Sequence, residues 1–190
     1  MSIEVNELKA KGLLVILPKR FGDDRGFFEE TWSSRDLNSV GINLVFLQDN
    51  HSYSAPVGTL RGLHYQAPPH AQDKLVRCSR GAIFDVAVDI RLGSPTYGQW
   101  EGLELSRENG KQLLVPKGFL HGFLTLEPDT EVQYKCTDYY APESDGSVRW
   151  DSAGIVWPLG PSQVPVLSPK DVAAQHFADF VSPFTYGELV

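Results

Sequence analysis

The stretch Phe84-Asp85-Val86-Ala87-Val88-Asp89-Ile90 lies near the middle of a 190-residue chain and carries its clearest structural pattern. The residues Phe84, Val86, Val88 and Ile90 occupy alternate positions, which places them on one face of an extended chain. A period of two is typical of a strand that turns one face to the core. We therefore expect a half-buried β-strand at this point.

Similar β-rich runs recur on both sides of this strand. They cover residues 44–48, 59–66, 74–78, 111–115, 119–126 and 131–137. Turn signals such as Pro68-Pro69 and Gly93-Ser94-Pro95 separate them. Only two helical segments are predicted, at residues 34–40 and 171–180. Many short strands without crossover helices predict an all-β fold, either closed or sandwich-like.

The composition is ordinary for a folded chain, with 42% hydrophobic and 22% charged residues. No repeat or linker divides it, so we expect residues 1–190 to form a single domain. The formal net charge of −7 argues against a partner such as nucleic acid or an anionic membrane, which would need a basic field. Without a membrane-length apolar run or a secretory signal, and with only Cys78 and Cys136, a cytoplasmic protein with free thiols is expected.

Two segments resemble the paired sequence motifs of the cupin superfamily. The segment 116–121, Pro-Lys-Gly-Phe-Leu-His, matches the pattern P-x-G-x-x-H. The other motif opens with Gly-Leu-His-Tyr-Gln at 62–66 and continues to Lys74 and Gly81. Metal-binding cupins carry H-x-H followed by a glutamate, whereas this chain has Gln66 in place of the second histidine and Lys74 in place of the glutamate. The resemblance implies a cupin-type jelly-roll β-barrel with a few short helices.

The lysine in place of the glutamate changes the chemistry that such a pocket can perform. A divalent cation prefers neutral imidazoles and a carboxylate, and an ammonium repels it. The same ammonium favours a developing oxyanion such as an enolate, and His64 is a candidate base beside it. We therefore expect no metal and no other cofactor. The alternative is that His64, His121 and Lys74 are ordinary surface or core-edge residues. Because all three match positions of one pocket motif, this alternative is the weaker interpretation.

A narrower resemblance covers nearly the whole chain, from about Leu17 to Asp171. The matching segments are 23–28, 48–52, 60–66, 74–77, 84–91, 93–95, 116–123, 134–135, 139–143 and 168–171. In this order they resemble the dTDP-4-dehydrorhamnose 3,5-epimerase family. The resemblance implies inversion of C3 and C5 of a dTDP-linked 4-keto-6-deoxysugar through an enolate, on the way to L-rhamnose. It also implies a homodimer whose subunits exchange N-terminal strands.

The resemblance further implies a role for each catalytic residue. His64 is the base, and Asp171 holds its imidazole, because a carboxylate partner fixes the tautomer and stabilises the imidazolium. Lys74 stabilises the enolate, and Tyr134 returns a proton to the opposite face of the sugar from a phenol that is protonated near pH 7. Two alternatives stay open. Asp171 would cap the helix that it starts, and Tyr134 would be a plain aromatic residue of the barrel.

The remaining expected site residues bind substrate. They are Arg25, Arg61 and Lys170 for the diphosphate, Phe28 and Tyr140 beside the nucleoside, Glu30, Gln48 and Asn50 as hydrogen-bonding groups, and His121 from the second motif. Strict alternation places Arg61 on the opposite face of its strand from His64. Either Gly62 marks a bulge that re-aims the strand, or Arg61 serves a different part of the site.

Three other functions compete with the double epimerase. A single-centre epimerase, acting at C3 or C5 alone, would need the same base and enolate site, so the residues above do not separate it. A metal cupin such as an oxygenase is disfavoured by Gln66 and Lys74. A sugar-sensing cupin without catalysis would need no acid–base set, and His64, Lys74, Tyr134 and Asp171 occur together here.

Overall fold

The computed structural model describes residues 3–187, and these residues form thirteen β-strands with little helix. The strands are β1 (Ile3–Glu7), β2 (Leu14–Pro18), β3 (Arg20–Asp23), β4 (Gly26–Glu29), β5 (Gln48–Ser54), β6 (Leu60–Gln66), β7 (Lys74–Arg80), β8 (Ala82–Asp89), β9 (Trp100–Ser106), β10 (Gln112–Val115), β11 (Phe119–Thr125), β12 (Thr130–Cys136) and β13 (Asp145–Ser147). The helices are α1 (Ser34–Ser39) and α2 (Pro169–Val172), with 3₁₀ turns at Pro142–Ser144 and Phe177–Asp179.

Two antiparallel sheets form the body of the molecule. One has six strands in the order β1-β2-β10-β7-β12-β5, and the other has five in the order β13-β6-β11-β8-β9. From β5 to β13 the chain crosses repeatedly from one sheet to the other, which is the connectivity of a jelly roll. The expected all-β jelly roll is thereby confirmed. A separate ribbon, β3 with β4, stands apart from both sheets.

Apolar side chains fill three layers. Between the sheets, Val76 and Leu113 of the six-stranded sheet meet Ile83 and Phe123 of the five-stranded sheet. The outer face of the five-stranded sheet is covered by residues that follow β13, including Trp157, Phe180 and Phe184. Helix α1 covers part of the outer face of the six-stranded sheet through Leu37. Within residues 3–187, no helix has the length and apolar character needed to cross a membrane.

Strand β8 differs from the expected half-buried strand because it is covered on both faces. Val86 and Val88 pack beneath the segment that follows β13, on the outer side of the sheet. Ile83 and Ala87 pack between the two sheets. The polar residues of this inner face, Asp85 and Asp89, are fully buried as well.

Two expected elements differ in their bounds by more than two residues from the structure. The run 44–48 is strand only from Gln48, and β5 continues through the polar residues to Ser54 because it pairs with β12 along its whole length. The expected helix at 171–180 is wrong beyond Val172. There the chain leaves the helical path, and Gln175 forms a parallel bridge with Val148 at the sheet edge. The predicted helix at 34–40 is confirmed as α1, with Ser33 as its N-cap.

Candidate active site

Two adjoining cavities, of about 390 and 430 Å³, open between the sheets. Both are lined by His64, Lys74 and Tyr134, so we treat them as one cleft with a first and a second part. The first part is also lined by Ser52, Thr59, Leu60, Arg61, His121, Phe123, Val166, Leu167, Ser168 and Asp171. The second part is also lined by Gln48, Asn50, Tyr65, Gln66, Gln72, Tyr140, Asp145 and Lys170.

A histidine–carboxylate pair forms one wall of the cleft. His64 lies on β6, and its Nε2 is 2.5 Å from Oδ1 of Asp171. The second oxygen of Asp171 accepts a hydrogen bond of 2.7 Å from Ser168 Oγ. Burial works to raise the pKa of Asp171, but the hydrogen bonds from His64 and Ser168 outweigh it and leave the pKa lowered. Asp171 is therefore an ionised partner that can hold and stabilise a protonated His64.

The N-cap of α2 answers the alternative raised for Asp171. The capping side chain is Ser168, whose Oγ accepts a hydrogen bond of 3.2 Å from the backbone N–H of Asp171. Asp171 sits in the first turn with a buried side chain that is directed to His64. Helix α2 thus holds the carboxylate against the ring, and Asp171 is not the cap.

Lys74 begins β7 in the six-stranded sheet and faces both parts of the cleft. Burial lowers the pKa of its ammonium, and the Cys136 thiol together with the carboxylates of Asp145 and Asp85 opposes that shift. A half-buried ammonium with a lowered pKa interacts strongly with negative charge that develops nearby, because little water screens it.

Tyr134 lies on β12 in the same sheet as Lys74, so the cleft separates it from the sheet that carries His64. Burial raises the pKa of its phenol, with a smaller contribution from Cys136, and the positive charge of Arg61 opposes the shift. The phenol therefore keeps its proton at neutral pH. The site has a potential base on one sheet and a potential acid on the other.

A bulge in β6 brings Arg61 to the same cleft as His64. Pairing with β11 runs from His64 opposite His121 to Arg61 opposite Phe123, so β6 has one extra residue in this interval. Gly62 supplies it with φ of +130°, and a Cβ atom there would lie 2.6 Å from Cα of Gly122. Of the two possibilities raised by the alternation, the bulge is the one found.

The second part of the cleft gathers four of the nine expected substrate-binding residues, namely Gln48, Asn50, Tyr140 and Lys170. Gln48 donates from Nε2 to Asn50 Oδ1 at 3.0 Å, and its Oε1 accepts a hydrogen bond of 2.9 Å from the backbone of Tyr140. The Tyr140 hydroxyl donates to Asp145 at 3.1 Å, and the same carboxylate binds the ammonium of Lys170. These contacts link β5 of the six-stranded sheet to β13 of the five-stranded sheet and to α2.

Three of the expected binding residues lie outside the cleft of this chain. Arg25 is in the turn of the β3–β4 ribbon, where it forms an ion pair with Asp23. Phe28 is on β4 with 64% of its surface exposed. Glu30 lines a different pocket, together with Trp32 and residues of α1.

Sequence reasoning missed several polar residues of the cleft, among them Ser52 and Asp145, and it missed Asp85 behind the cleft wall. Ser52 follows Gln48 and Asn50 at the next alternate positions of β5, so the period of two could have indicated it. Asp145 lies on β13, opposite Gln66 of β6, and no local pattern reveals that pairing. Asp85 stands directly behind His121.

The donor set of the cleft bears on metal binding. Within residues 3–187, no three His, Cys, Asp or Glu side chains lie together as a metal site would require. His64 and His121 each face a carboxylate, and Lys74 adds a positive charge to the same space. Independence from metal remains a prediction for the assay described below.

Comparison with known proteins gives consistent matches over most of the chain. A protein-family model described as dTDP-4-dehydrorhamnose 3,5-epimerase matches residues 7–179. The chain is 48% identical over 191 residues to the dTDP-4-dehydrorhamnose 3,5-epimerase of Sinorhizobium fredii, covering 97% of this chain and 92% of that relative. It is 52% identical over 165 residues to the enzyme of the same name from Salmonella typhimurium, covering 85% and 88%.

A solved structure extends the likeness to three dimensions. The dTDP-6-deoxy-D-glucose-3,5-epimerase of Legionella pneumophila, crystallised with dTDP-4-keto-L-rhamnose, is similar to this chain with a TM-score of 0.88 and 48% identity. The match covers 94% of this chain and 95% of that one.

Proposed function

This chain belongs to the dTDP-4-dehydrorhamnose 3,5-epimerase family, and on that premise we propose how its cleft carries out the reaction. The chain is an isomerase that inverts C3 and C5 of dTDP-4-dehydro-6-deoxy-D-glucose to give dTDP-4-dehydro-L-rhamnose. Both carbons flank the C4 ketone, which acidifies their protons. Removal of either proton leaves an enolate. Delivery of a proton to the opposite face of the same carbon then inverts that centre.

The observation that supports this mechanism best is the placement of base and acid on opposite walls. The Nε2 atom of His64 is held by Asp171, so Nδ1 is free to take a proton from the sugar. The phenol of Tyr134 comes from the facing sheet and can deliver a proton to the other side of the ring. Inversion requires this arrangement, because one residue does not easily reach both faces of a ring.

Lys74 stabilises the enolate in this proposal. Its ammonium lines the same cleft as His64 and Tyr134. Because the ammonium is half-buried, little water screens its attraction to the enolate oxygen. Negative charge on the C4 oxygen grows as the proton leaves. Because the Lys74 ammonium is already in position, it stabilises the transition state more than it stabilises the ketone substrate.

The reaction rate should therefore fall at alkaline pH as Lys74 loses its proton. Burial lowers the pKa of Lys74, so the decline in rate should begin at a lower pH than the titration of a free lysine would give. The raised pKa of Tyr134 makes this phenol titrate at higher pH and keeps it from causing the decline. A kcat/KM profile against pH measures the effect.

Two lysine variants test the assignment of that decline. Lys74→Ala should be slow at every pH and should lack the alkaline limb. Lys135→Ala removes a lysine of the same sheet that pairs with Asp49 and does not line the cleft, and it should keep the wild-type profile. If Lys74→Ala kept the same alkaline decline in kcat/KM, that decline would belong to the titration of another group.

We assign substrate binding to polar and charged residues of both parts of the cleft. Arg61 and Lys170 provide positive charge for the diphosphate, and Tyr140 offers a ring to the nucleoside. Gln48 and Asn50 present hydrogen-bonding groups in the second part, and His121 does so in the first. Such local cations hold an anionic nucleotide even in a chain of net charge −7.

We further propose a cytoplasmic homodimer in which residues 1–190 act as one domain. The β3–β4 ribbon leaves Phe21, Phe27 and Phe28 exposed by 43%, 43% and 64%, and a second copy would cover these rings. Strand exchange through this ribbon would carry Arg25 and Phe28 to the partner's cleft. Elution as a dimer, and loss of the dimer on changing Phe28 to Ser, would support it.

Incubation with dTDP-4-dehydro-6-deoxy-D-glucose in deuterium oxide tests the proposed reaction directly. NMR should show deuterium at C3 and at C5 together with dTDP-4-dehydro-L-rhamnose as product. The same rate is expected after exhaustive treatment with EDTA. Exchange at one carbon would indicate the single-centre reaction, exchange at neither would indicate a binding protein, and rescue by a divalent cation would contradict independence from metal.

A further inference from the structure

A second histidine–carboxylate pair borders the cleft. Nε2 of His121 on β11 is 2.8 Å from Oδ1 of Asp85 on β8. Both residues are buried, with 8% of His121 and 0% of Asp85 exposed. The ring of His121 lines the first part of the cleft, and Asp85 stands behind it.

The two pairs are arranged alike. His121 lies directly opposite His64 in the pairing of β11 with β6. Each ring faces the same space, and each is held by a carboxylate from a third element, Asp171 of α2 or Asp85 of β8. The reaction described above uses only the His64 pair as base and gives His121 a substrate-binding role, so Asp85 has no assigned task in it.

Packing does not account for Asp85. On the same face of β8, its neighbours Ile83 and Ala87 belong to the apolar core between the sheets. Burying a carboxylate there is unfavourable unless it is fully paired, and Oδ2 of Asp85 has no hydrogen-bond partner among residues 3–187. Asp89, on the same face of the strand, makes the contrast clear. It accepts hydrogen bonds from Arg91, Ser94 and Thr96.

We propose that Asp85 is a positioning residue that fixes the tautomer and the orientation of His121 toward the sugar. In this arrangement the Asp85 carboxylate accepts a hydrogen bond from Nε2–H of His121, and that tautomer leaves Nδ1 as an acceptor. This inference rests on the reaction proposed above and adds a residue to it.

The chemistry of the substrate decides which part of the sugar His121 can hold. An acceptor nitrogen needs a hydroxyl donor, and the sugar carries hydroxyls at C2 and C3. On the C5 side it offers only the ring oxygen and a methyl group. The hydrogen bond to His121 therefore orients the C2–C3 edge of the ring, and Asp85 acts mainly on proton removal at C3.

The test compares the two exchange rates within one sample. Asp85→Asn replaces the carboxylate with an amide, which no longer enforces one tautomer. Exchange at C3 in deuterium oxide should fall by about ten- to a hundred-fold, the cost of a misplaced reacting centre, while exchange at C5 stays close to the wild-type rate. The ratio of the two rates does not depend on how much of the variant is folded.

Two further variants make the outcome specific. His121→Ala should change the C3:C5 ratio in the same direction, and the double variant should be no slower than His121→Ala alone, because Asp85 acts through the ring. If Asp85→Asn does not fold, the His121→Ala variant still tests whether the ratio of C3 to C5 exchange changes. Asp89→Asn removes a buried carboxylate of the same strand outside the cleft and should lower thermal stability without altering the ratio.

The possible failures can be told apart. Equal slowing at C3 and C5 in Asp85→Asn, additive effects in the double variant, or an unchanged ratio in His121→Ala would overturn the positioning role. Absence of exchange at either carbon with the wild-type protein would instead overturn the proposed reaction.

Discussion

Replacing His64 with Asn should suppress proton exchange at both C3 and C5. The side chain of Asn cannot act as a base at neutral pH, and general-base contributions are typically about a hundred- to ten-thousand-fold. Because one imidazole serves both carbons in the proposed mechanism, the two exchange rates should fall together. NMR in deuterium oxide measures both rates, and calorimetry should show that dTDP still binds.

The same variant has a structural consequence that can be measured separately. Asp171 is buried, and the hydrogen bond from His64 helps to keep its pKa low. Without that ring, burial is less opposed and the pKa of Asp171 should rise toward or above its usual range. A thermal unfolding curve shows whether the variant remains folded.

His70→Asn is the matched control for His64→Asn. His70 also lies beside a carboxylate, with its Nδ1 3.3 Å from Asp138, but it does not line the cleft. This variant should exchange both protons at the wild-type rate. If His64→Asn exchanged either proton at near the wild-type rate, His64 would not be the shared base.

Local pattern predicted many of the strands that pack apolar side chains, but it missed β2 and β9, whose Ile16 and Leu105 are buried. Every β-rich run other than 44–48 corresponds to a strand, and the motif that ends at His121 leads into β11. Strand β5 was placed too early, because hydrophobicity identified residues 44–47 while the strand itself carries Gln48, Asn50 and Ser52. Those polar side chains alternate because one face of β5 lines the cleft. The strand therefore lacks the apolar face by which hydrophobic periodicity identifies a strand.

The site shows the same division between local and long-range information. Motifs and family resemblance predicted His64, Lys74 and Tyr134, which the structure brings to one cleft. The position of Arg61 was ambiguous because a bulge depends on the partner strand, here through the close approach of Gly62 to Gly122. Asp85 was missed because it read as the polar half of an alternating strand. Only the pairing of β8 with β11 shows that this half is buried against His121.

Replacing Tyr134 with Phe should separate proton removal from inversion. The ring and its packing on β12 remain, and the phenolic proton is lost. His64 and Lys74 are unchanged, so the substrate should still form the enolate and exchange with solvent. The expected result is deuterium incorporation with little inverted product, most clearly at one carbon if water reprotonates the other.

The choice of tyrosine makes this result informative. Burial raises the pKa of the Tyr134 phenol, so in the wild-type enzyme it is a proton donor throughout the neutral range. Tyr139→Phe is the control, since Tyr139 is 61% exposed and does not line the cleft, and it should keep full activity. Equal loss of exchange and inversion in Tyr134→Phe would point to a structural role and make Tyr140 the next candidate. Because His64 and Tyr134 lie on different sheets, retained exchange with lost inversion would mean that each face of the sugar meets its own proton-transfer group.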